Sequence, residues 1–448
     1  MALSGLDIFK LLPKTNCGDC SVPTCLAFAM KLAQGQAELD SCPHVSDEAK
    51  SALGAASAPP MRAVTVGVGA TAFTVGEETV LFRHEKTFAN PCAIGVQIQS
   101  GDSDEQIGGA LADAAASSFE RVQMALRCGF IAVQSTGDAA RFASVASRAA
   151  DATSLPLILM SPDPEHMAVA LDAVGTKRPL IHAATESNID AMIELAAKHS
   201  CPLAVRASGL DAVAALTEKA IQAGLKDLVI DSAPQDAGSA LRDKVFARRA
   251  ALNQKFALLG FPTISFPGEI ADGNAMLETV FGALDVVKYG SIIVLSGAEA
   301  WRMLPLLVLR QNIFTDPQRP MQAESKIYEY GTPGPDSPFF VTTNFSLTYF
   351  IVSGEIESSK AGAYLGIVES EGLSVLTAWA AGKFVPERIA KFVGESGISN
   401  KIGHREIIIP GAVAQISGEL AEELDGWNVV VGPYEASDIP AFLKRRAG

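Results

Sequence analysis

Eight short apolar runs between residues 93 and 296 constrain the fold of this chain more than any other feature. Each run is six residues long, and successive runs begin about 23 to 36 residues apart. The intervals carry helix-like patterns such as NIDAMIELAAKH, in which apolar residues recur at the spacing of one helix face. The runs are Ala93–Ile98, Gly129–Gln134, Leu155–Met160, Arg178–Ala183, Pro202–Ala207, Asp227–Ser232, Phe261–Phe266 and Ser291–Ser296.

Eight strands that alternate with helices predict parallel βα units closing into a (β/α)8 TIM barrel over residues 61–320. The stretch Met61–Phe82, which precedes the first run, predicts a β-hairpin before the barrel. The whole chain has 448 residues, which is too long for one ordinary domain. We therefore expect a multidomain α/β protein.

Polar residues stand at the ends of several predicted barrel strands, where barrel enzymes place their catalytic groups. These residues contain no metal-binding triad and no nucleophile with its base. We therefore expect them to serve structure or protein contacts, and we predict no catalytic residue. They are Gln134, His182, Arg206, Asp231 and Glu269.

Four of the seven cysteines crowd into one segment near the N-terminus, with the spacing Cys-x2-Cys-x4-Cys-x16-Cys. Thiolates at such spacings suit a soft metal centre, because a tight turn directs the first two toward one point and later ones close the cage. Four cysteine ligands are compatible with either a [4Fe-4S] cluster or a structural zinc ion. Zinc sites usually pair two short Cys-x2-Cys motifs, so the long spacing between Cys25 and Cys42 favours the iron–sulfur cluster. A disulfide framework fits poorly with a long chain and an odd cysteine count. The predicted ligands are Cys17, Cys20, Cys25 and Cys42.

Residues 1–57 form the predicted cluster domain. Gly5–Leu12 and Thr24–Gln34 carry apolar residues at helical spacing and predict two short helices. A domain this small buries little apolar surface, so we expect metal ligation to supply much of its stability. The low-complexity stretch Ser51–Pro60 predicts a linker to the barrel.

Composition excludes several classes of function. The formal net charge of -14 argues against a nucleic-acid binder, because phosphate neutralisation needs a basic surface. No apolar run is long enough to span a bilayer and no secretory signal pattern is present, so we expect a cytoplasmic protein without membrane association. Three single thiols fit a reducing compartment and are predicted to be small buried apolar residues. They are Cys92, Cys128 and Cys201.

Residues 325–448 form the predicted third domain, a Rossmann-like α/β sheet. A segment with five prolines, Thr315–Phe339, precedes it and predicts a linker. Three segments then share one design, in which a strand runs into a glycine and a helix follows. Glycine lets the backbone approach a ligand and the helix offers free N–H groups, so the turns predict a ligand site at one edge of the sheet. The glycines are Gly372, Gly411 and Gly432.

The run TTNFSLTYFIV, residues 342–352, alternates polar and apolar side chains. A period of two predicts a strand with Thr342, Asn344, Ser346 and Thr348 on one face. That face suits either an amide-rich ligand or water, and the sequence alone favours neither. Dinucleotide-binding and P-loop glycine motifs do not occur at the three turns, which argues against a nucleotide ligand.

The segment Leu3–Asp47 reads LSGLDIFKLLPKTNCGDCSVPTCLAFAMKLAQGQAELDSCPHVSD. It resembles the N-terminal cluster domain of the large (gamma) subunit of corrinoid iron-sulfur proteins, which belong to the acetyl-CoA decarbonylase/synthase complex of the reductive acetyl-CoA pathway. The resemblance extends along essentially the whole chain. It implies a [4Fe-4S] cluster on the four crowded cysteines, a scaffold role for the barrel, and a C-terminal corrinoid-binding domain.

The resemblance implies a base-off cobamide whose benzimidazole-type tail lies within the C-terminal domain. Many B12 domains bind cobalt through the histidine of Asp-x-His-x-x-Gly, but this motif is absent, and only His404 falls in the C-terminal domain. A cobalt without a strong lower ligand reaches Co(I) more easily, because axial donation stabilises the higher oxidation states. The hydroxyl of Ser374 facing the lower side of the cobalt is a hypothesis. The implied corrinoid contacts are Thr342, Thr348, Gly372, Leu373, Ser374, Val375, Gly411, Ala412 and Gly432.

The function implied by the resemblance is that of a methyl carrier. The corrinoid cobalt accepts a methyl group from methyltetrahydrofolate, or a methanogen's pterin, through a methyltransferase and passes it to the nickel cluster of acetyl-CoA synthase. The [4Fe-4S] cluster returns Co(II) to Co(I). The implied partners are a small subunit that completes a heterodimer, the methyltetrahydrofolate methyltransferase, acetyl-CoA synthase with CO dehydrogenase, and a reductive activator. Two other classes stay open: an iron–sulfur enzyme that acts on a substrate in the barrel, and a non-catalytic electron-transfer subunit without a corrinoid.

Overall fold

The structure is a computed structural model that describes residues 5–33, 37, 39–46, 49, 59–122, 124–316 and 320–447. The chain divides into two compact units. The first comprises residues 1–118 and 127–314, and the second comprises residues 119–126 and 315–448. Most of the predicted linker Ser51–Pro60 lies outside the described residues.

Two short helices, α1 (Gly5–Leu11) and α2 (Cys25–Ala33), form the N-terminal module, and a 3-10 helix, Leu39–Ser41, follows them. The two predicted helices are thus confirmed. Their apolar faces share a small hydrophobic core in which Ile8 and Phe28 are buried.

Twelve strands lie in the described part of the chain between residues 59 and 314. Eight of them pair in parallel in one sheet, as the eight apolar runs predicted. The strands are β1 (Val64–Val66), β2 (Phe73–Val75), β3 (Ala93–Gln99), β4 (Ser118–Arg121), β5 (Met124–Arg127), β6 (Ile131–Gln134), β7 (Leu157–Met160), β8 (Leu180–Ala184), β9 (Leu203–Arg206), β10 (Leu228–Asp231), β11 (Ile264–Ser265) and β12 (Ile292–Leu295).

The eight-stranded sheet has the order β10-β9-β8-β7-β6-β3-β12-β11. A parallel bridge between Ile230 and Thr263 joins its two end strands, which closes the sheet into a barrel. The predicted hairpin is confirmed as the antiparallel pair β1 and β2. Its buried valines, Val64 and Val66, belong to the hydrophobic core inside the barrel, so the hairpin contributes to filling one end.

One helix follows each barrel strand, and side-chain caps fix several helix starts. Ser103 and Asp236 each form a reciprocal capping box, and Asp138 and Asn274 accept backbone N–H groups of the first turn. The helices are α3 (Asp104–Ala116), α4 (Ala139–Thr153), α5 (Pro164–Val174), α6 (Ile189–His199), α7 (Leu210–Gln222), α8 (Ala237–Gln254), α9 (Ala275–Val287) and α10 (Ala300–Phe314).

The second unit contains a five-stranded sheet with the order β13-β15-β14-β16-β17, in which β13 is antiparallel and the other strands are parallel. Its strands are numbered from β13 (Ile327–Tyr330) through β14 (Phe339–Thr343), β15 (Ala363–Val368) and β16 (Glu406–Ile409) to β17 (Asn428–Val431). The prediction of a linker over Thr315–Phe339 was therefore partly wrong. Residues inside it form the edge strand β13, because Ile327–Tyr330 pairs with β15 despite the flanking prolines.

Successive residues of each central strand point to opposite faces of this sheet, and both faces carry a hydrophobic core. Phe339 and Val341 lie in one core with α12 (Val375–Ala380), α13 (Pro386–Glu395) and α14 (Ser417–Glu423), whereas Phe340 lies in the other with α11 (Ser346–Ser358) and α15 (Ile439–Ala447). A mostly parallel sheet covered by helices on both sides results, as expected for near-continuous apolar strands.

The strand predicted for residues 342–352 was wrong beyond Thr343. The strand β14 ends there, Asn344 turns the chain, and α11 begins at Ser346. The strand ends there because the side chain of Asn344 is bonded to a neighbouring loop, and the chain must then cross over the face of the sheet to reach the parallel strand β15.

No helix in the described ranges is long and apolar enough to cross a bilayer.

Candidate functional site

A cavity of about 350 Å³ lies at the carboxyl ends of the parallel strands in the C-terminal sheet. Residues of β14 and β16 and of the turn that follows β17 line it, together with residues of α11 and the start of α12. Its lining is mainly apolar, with a few hydroxyl groups. Ligands of open α/β sheets bind at this edge, which is where the three strand-to-helix turns predicted a site.

Six of the nine predicted contact residues line this cavity. The other three, Gly372, Leu373 and Gly411, do not line it and belong to the turns that shape it. The N–H of Gly411 donates to the carbonyl of Pro433 at 2.9 Å, and a Cβ at Gly411 would lie 2.7 Å from the carbonyl oxygen of Gly432. Two turns thus pack backbone against backbone, which requires glycine. The lining residues are Thr342, Thr348, Ser374, Val375, Ala412 and Gly432.

Asn344 holds the loop that leads to Gly372. Its side-chain oxygen accepts the N–H of Ser370 at 3.1 Å, the hydroxyl of Ser370 at 2.6 Å and the N–H of Gly372 at 2.9 Å. Its amide group donates to Gln322 at 3.2 Å and to Glu369 at 2.9 Å. Asn344 is completely buried, so these bonds form without competition from water. Asn344 therefore faces neither water nor the cavity, the two alternatives that the sequence left open, because its side chain is bonded to the protein's own loop.

Two neighbouring threonines at the end of β14 carry buried hydroxyl oxygens that lack a hydrogen-bond partner among the described residues. Thr342 lines the cavity, whereas Thr343 does not. A buried hydroxyl without a partner destabilises a fold unless something completes it. The orphaned hydroxyl of Thr342 and the apolar lining fit a ligand that is largely apolar with some polar groups.

Several large apolar residues around the cavity are exposed, although sequence reasoning did not name them. Tyr434 is 67% exposed, Ile351 48% and Leu376 47%, and all three line the cavity. The signal available in the sequence was Tyr434 directly after the Gly432-Pro433 turn, where an aromatic ring has no core to enter. Ser374 bonds Thr377 through their hydroxyls at 2.9 Å and stands at the start of α12.

The single histidine of the C-terminal domain lies away from the cavity. Nε2 of His404 bonds the carbonyl of Ser337 at 2.9 Å, and Nδ1 accepts the N–H of Glu406 at 3.2 Å. Both ring nitrogens are therefore engaged at the amino end of β16, and no histidine is among the residues that line the cavity.

The N-terminal module places three of its four predicted ligands in or against one core. Cys25 and Cys42 are buried, Cys20 packs against the same core, and Cys17 is exposed. The N–H of Asn16 donates to Sγ of Cys25 at 3.4 Å, and the side chain of Asn16 accepts the N–H of Cys25 at 2.8 Å. An N–H directed at sulfur stabilises negative charge there, so this donor fits a thiolate ligand at Cys25.

Two residues that sequence reasoning missed stand beside Cys17. Nε2 of His44 and Oδ2 of Asp19 are 2.6 Å apart, and these groups lie within 4.8 Å of the sulfur of Cys17. Hydrogen bonds from His44 and then from Cys17 lower the pKa of Asp19. All three residues are exposed. The sequence signal was the position of Asp19 between two cysteines and of His44 two residues after Cys42.

The remaining cysteines behave as the sequence predicted. Cys92, Cys128 and Cys201 are buried, and each is a free thiol. Burial raises the pKa of Cys92 to about 12 and the pKa values of Cys128 and Cys201 to about 11. Thiols that stay protonated are poor metal ligands and nucleophiles, which sets them apart from the N-terminal group.

Four of the five polar residues predicted at the barrel strand ends form one network. Oδ2 of Asp231 lies 3.0 Å from Nε2 of His182 and accepts a bond from Arg206 at 2.9 Å, and Arg206 also binds both oxygens of Glu269. Gln134 stays outside this network and bonds the carbonyl of Ser135. Each charged group already has its counter-charge, which supports the structural role that the sequence predicted.

A serine and a histidine also meet at this end of the barrel, where no nucleophile and base were predicted. Oγ of Ser135 lies 3.0 Å from Nδ1 of His166. Nε2 of His166 is 3.7 Å from Asp163, which is too long for a hydrogen bond, and Asp163 also caps α5 through the N–H of Glu165. The contact anchors the loop after β6 to α5.

A cysteine-rich module, a barrel and an α/β sheet with a cavity define a multidomain α/β protein with a candidate metal centre and a separate candidate ligand site. Comparison with protein families agrees. A family model described as "CO dehydrogenase/acetyl-CoA synthase delta subunit" matches residues 63–443. A second, described as "Putative Fe-S cluster", matches residues 12–44, which enclose all four crowded cysteines.

Full-length relatives specify the family further. The "Corrinoid/iron-sulfur protein large subunit" of Moorella thermoacetica is 46% identical over 99% of both chains. The "Acetyl-CoA decarbonylase/synthase complex subunit gamma" of Methanopyrus kandleri is 34% identical over 99% of this chain and 98% of its own, and that of Methanothermobacter thermautotrophicus is 33% identical over 100% of both. This chain belongs to the family of corrinoid/iron-sulfur protein large subunits, which includes these archaeal gamma subunits.

Among solved structures, dihydropteroate synthase from Thermus thermophilus matches 56% of this chain and 99% of its own, with 14% sequence identity and a TM-score of 0.37.

Proposed function

We propose that this chain is the methyl-carrying subunit of an acetyl-CoA decarbonylase/synthase system. It would hold an iron–sulfur cluster of the [4Fe-4S] type on Cys17, Cys20, Cys25 and Cys42, and a base-off corrinoid in its C-terminal domain. The observation that carries the proposal is the cavity at the carboxyl edge of the C-terminal sheet, which six predicted contact residues line. The name of the relative in Moorella thermoacetica supports both cofactors, and the family model over residues 12–44 supports the iron–sulfur cluster.

When bound, the corrinoid would supply a nucleophilic cobalt for methyl transfer from methyltetrahydrofolate, by way of a methyltransferase, to the nickel cluster of acetyl-CoA synthase. The iron–sulfur cluster would supply an electron for the reduction of Co(II) to Co(I). The protein's part is to bind, orient and shield the cofactor. Three backbone turns and the orphaned hydroxyl of Thr342 would contribute to binding it.

The volume of the cavity indicates which part of the corrinoid it would take. About 350 Å³ is far smaller than a whole cobamide but suits a planar base such as a benzimidazole. The ring system would then rest on the exposed apolar rim, of which Ile351, Leu376 and Tyr434 are members. Histidine is not among the described residues that line the cavity, so this lining would hold the cofactor through apolar side chains, hydroxyl groups and backbone.

The proposal includes partner proteins. A methyl carrier needs a methyltransferase as donor and acetyl-CoA synthase with CO dehydrogenase as acceptor, and a reductive activator to recover oxidised cobalt. The relative in Moorella thermoacetica is named a large subunit, which supports a heterodimer with a small subunit.

Metal analysis and an absorption spectrum of anaerobically purified full-length chain, alone and co-expressed with its small subunit, test the proposal. We expect about four iron atoms and about one cobalt atom per chain, with corrinoid bands. Iron without cobalt in both preparations would overturn the carrier role and favour an iron–sulfur enzyme or an electron-transfer subunit. Zinc in place of iron would overturn the redox role of the cysteines.

A further inference from the structure

One of the four proposed cluster ligands lies open to solvent, and a hydrogen-bonded pair of polar side chains stands beside it. Cys25 and Cys42 are buried, whereas Cys17 is exposed. A carboxylate oxygen of Asp19, a ring nitrogen of His44 and the sulfur of Cys17 all lie within 4.8 Å of one another. The carboxylate is therefore a close neighbour of a thiolate that would carry part of the charge of the cluster.

The local chain geometry fixes the position of Asp19. Gly18, which separates Asp19 from Cys17, has a φ of +82°, and this left-handed conformation turns the chain between the two residues. His44 follows Cys42 by two residues, and its Nε2 lies 2.6 Å from Oδ2 of Asp19. The imidazole thus anchors the carboxylate beside the sulfur, and this bond joins the segments that carry the first and the last of the predicted ligands.

The negative charge of Asp19 is present at neutral pH, because an aspartate has an ordinary pKa of about 3.9. The two lysines nearest to it in sequence are engaged with other residues of the module. Lys10 pairs with Asp7 at 2.8 Å, and the ammonium group of Lys14 lies 5.7 Å from the centre of an aromatic ring. The side chain of Asp19 is 52% exposed, so water weakens the field of its charge but does not remove it at this short range.

A fixed negative charge beside a ligating sulfur changes how easily a cluster takes up an electron. Reduction potentials of iron–sulfur clusters depend on net charge, on hydrogen bonds to the sulfurs and on solvent exposure. An added electron makes the cluster more negative, so a neighbouring carboxylate opposes its addition. We propose that Asp19, anchored by His44, lowers the reduction potential of the cluster, an inference that rests on the proposed function.

A low potential is what the proposed role of the cluster requires. Co(I) is electron-rich, so only a strong reductant supplies the electron that forms it from Co(II). The N–H of Asn16, directed at the sulfur of Cys25 at 3.4 Å, works in the opposite direction, because it stabilises the added negative charge. Asp19 opposes that effect at the exposed ligand. It acts on the cluster through space and through Cys17, so it is a positioning residue and not a fifth ligand.

A potentiometric titration of the anaerobically purified full-length chain, followed by electron paramagnetic resonance of the reduced cluster, tests the inference. Asp19→Asn removes the charge but keeps the size of the side chain and an oxygen that accepts a bond from His44. Two unit charges at about this separation in water change an equilibrium about fivefold. We therefore expect the ratio of reduced to oxidised cluster at a fixed potential to rise about fivefold, which is about 40 mV for one electron. Asp19→Ser, a second uncharged variant, should show the same rise.

Two controls separate charge from structure. Asp19→Glu keeps the charge, and Asp7→Asn removes the same charge from α1 of the same module, so both should leave the ratio within about twofold of the unaltered chain.

An unchanged ratio in both uncharged variants, or an equal rise in either control, would overturn the inference. So would the failure of both uncharged variants to hold four iron atoms, because Asp19 would then be needed to assemble the site. Metal content of the unaltered chain reports separately on the proposed function, since zinc in place of iron refutes that function, whereas four iron atoms with an unshifted potential in the variants refute this inference alone.

Discussion

Replacing Asn344 by alanine should destabilise the C-terminal unit, because it removes the partner of a buried loop. The N–H groups of Ser370 and Gly372 both lose their acceptor, and each of these residues is buried. An unsatisfied buried donor costs about 1–3 kcal/mol, so the two together cost about 2–6 kcal/mol. A domain is stable by only about 5–15 kcal/mol, so a large part of the margin is lost.

Tryptophan fluorescence isolates this effect in the full-length chain. The protein has three tryptophans, and only Trp301 lies in the barrel. In a Trp301→Phe background, Trp379 and Trp427 therefore report the denaturant unfolding of the C-terminal unit. The control is Asn428→Ala, since Asn428 is exposed and donates one bond to Glu406. A loss below about 1 kcal/mol, or one equal to the control, would refute the reasoning that the Asn344 bonds hold the loop.

Three further predictions concern the metal module, the cavity and the barrel. Cys42→Ala should lose iron but keep cobalt, whereas Cys201→Ala should keep both by metal analysis, because Cys201 is a protonated thiol far from the module in sequence. Thr342→Val and Thr343→Val each remove a hydroxyl without a hydrogen-bond partner among the described residues, so both variants should have an unchanged or higher free energy of unfolding. Only Thr342 lines the cavity, so only Thr342→Val should weaken corrinoid retention, about fivefold by dialysis. Burial alone would raise the pKa of Asp231, but the hydrogen bond with His182 and the charges of His182 and Arg206 outweigh it and lower that pKa. The ionised carboxylate of Asp231 therefore stabilises the folded barrel at pH values above its unfolded pKa of about 3.9, and this contribution is lost as the pH falls through the lower folded pKa. The variant Asp231→Asn lacks this contribution, so its unfolding free energy, measured by denaturant titration, should depend less on pH below about pH 5.

The barrel was predictable because its signal is local and repeated. Each barrel strand is a short apolar run that is almost completely buried, because its side chains point alternately into the barrel and against the outer helices. Each segment between two strands carries apolar residues at helical spacing. The three strand-to-glycine turns were predictable for the same reason. Gly372 has a φ of +71°, a left-handed conformation that glycine adopts without strain, so its place in the sequence marks a turn directly.

The start of α11 could not be predicted from the sequence, because it depends on hydrogen bonds to residues that are distant along the chain. Residues 342–348 alternate polar and apolar side chains and contain several β-branched threonines, which favours a strand. The competing bonds of Asn344 join it to Ser370 and Gly372, which are 26 and 28 residues away. A period within a window of about ten residues contains no information about those partners.

The helix α9 on the outside of the barrel shows the same limit of sequence-based prediction. Glu278 and Asp285 are seven residues apart, so they share one side of α9, and amphipathic patterning would place that side in water. Their partners lie on α8 and α10, and only the folded barrel brings Lys244 and Arg302 to them. Because both carboxylates of α9 point into the protein, the apolar residues on the opposite side of this helix are exposed to solvent. The exposed apolar residues of α9 therefore follow from two buried ion pairs that form only in the folded barrel.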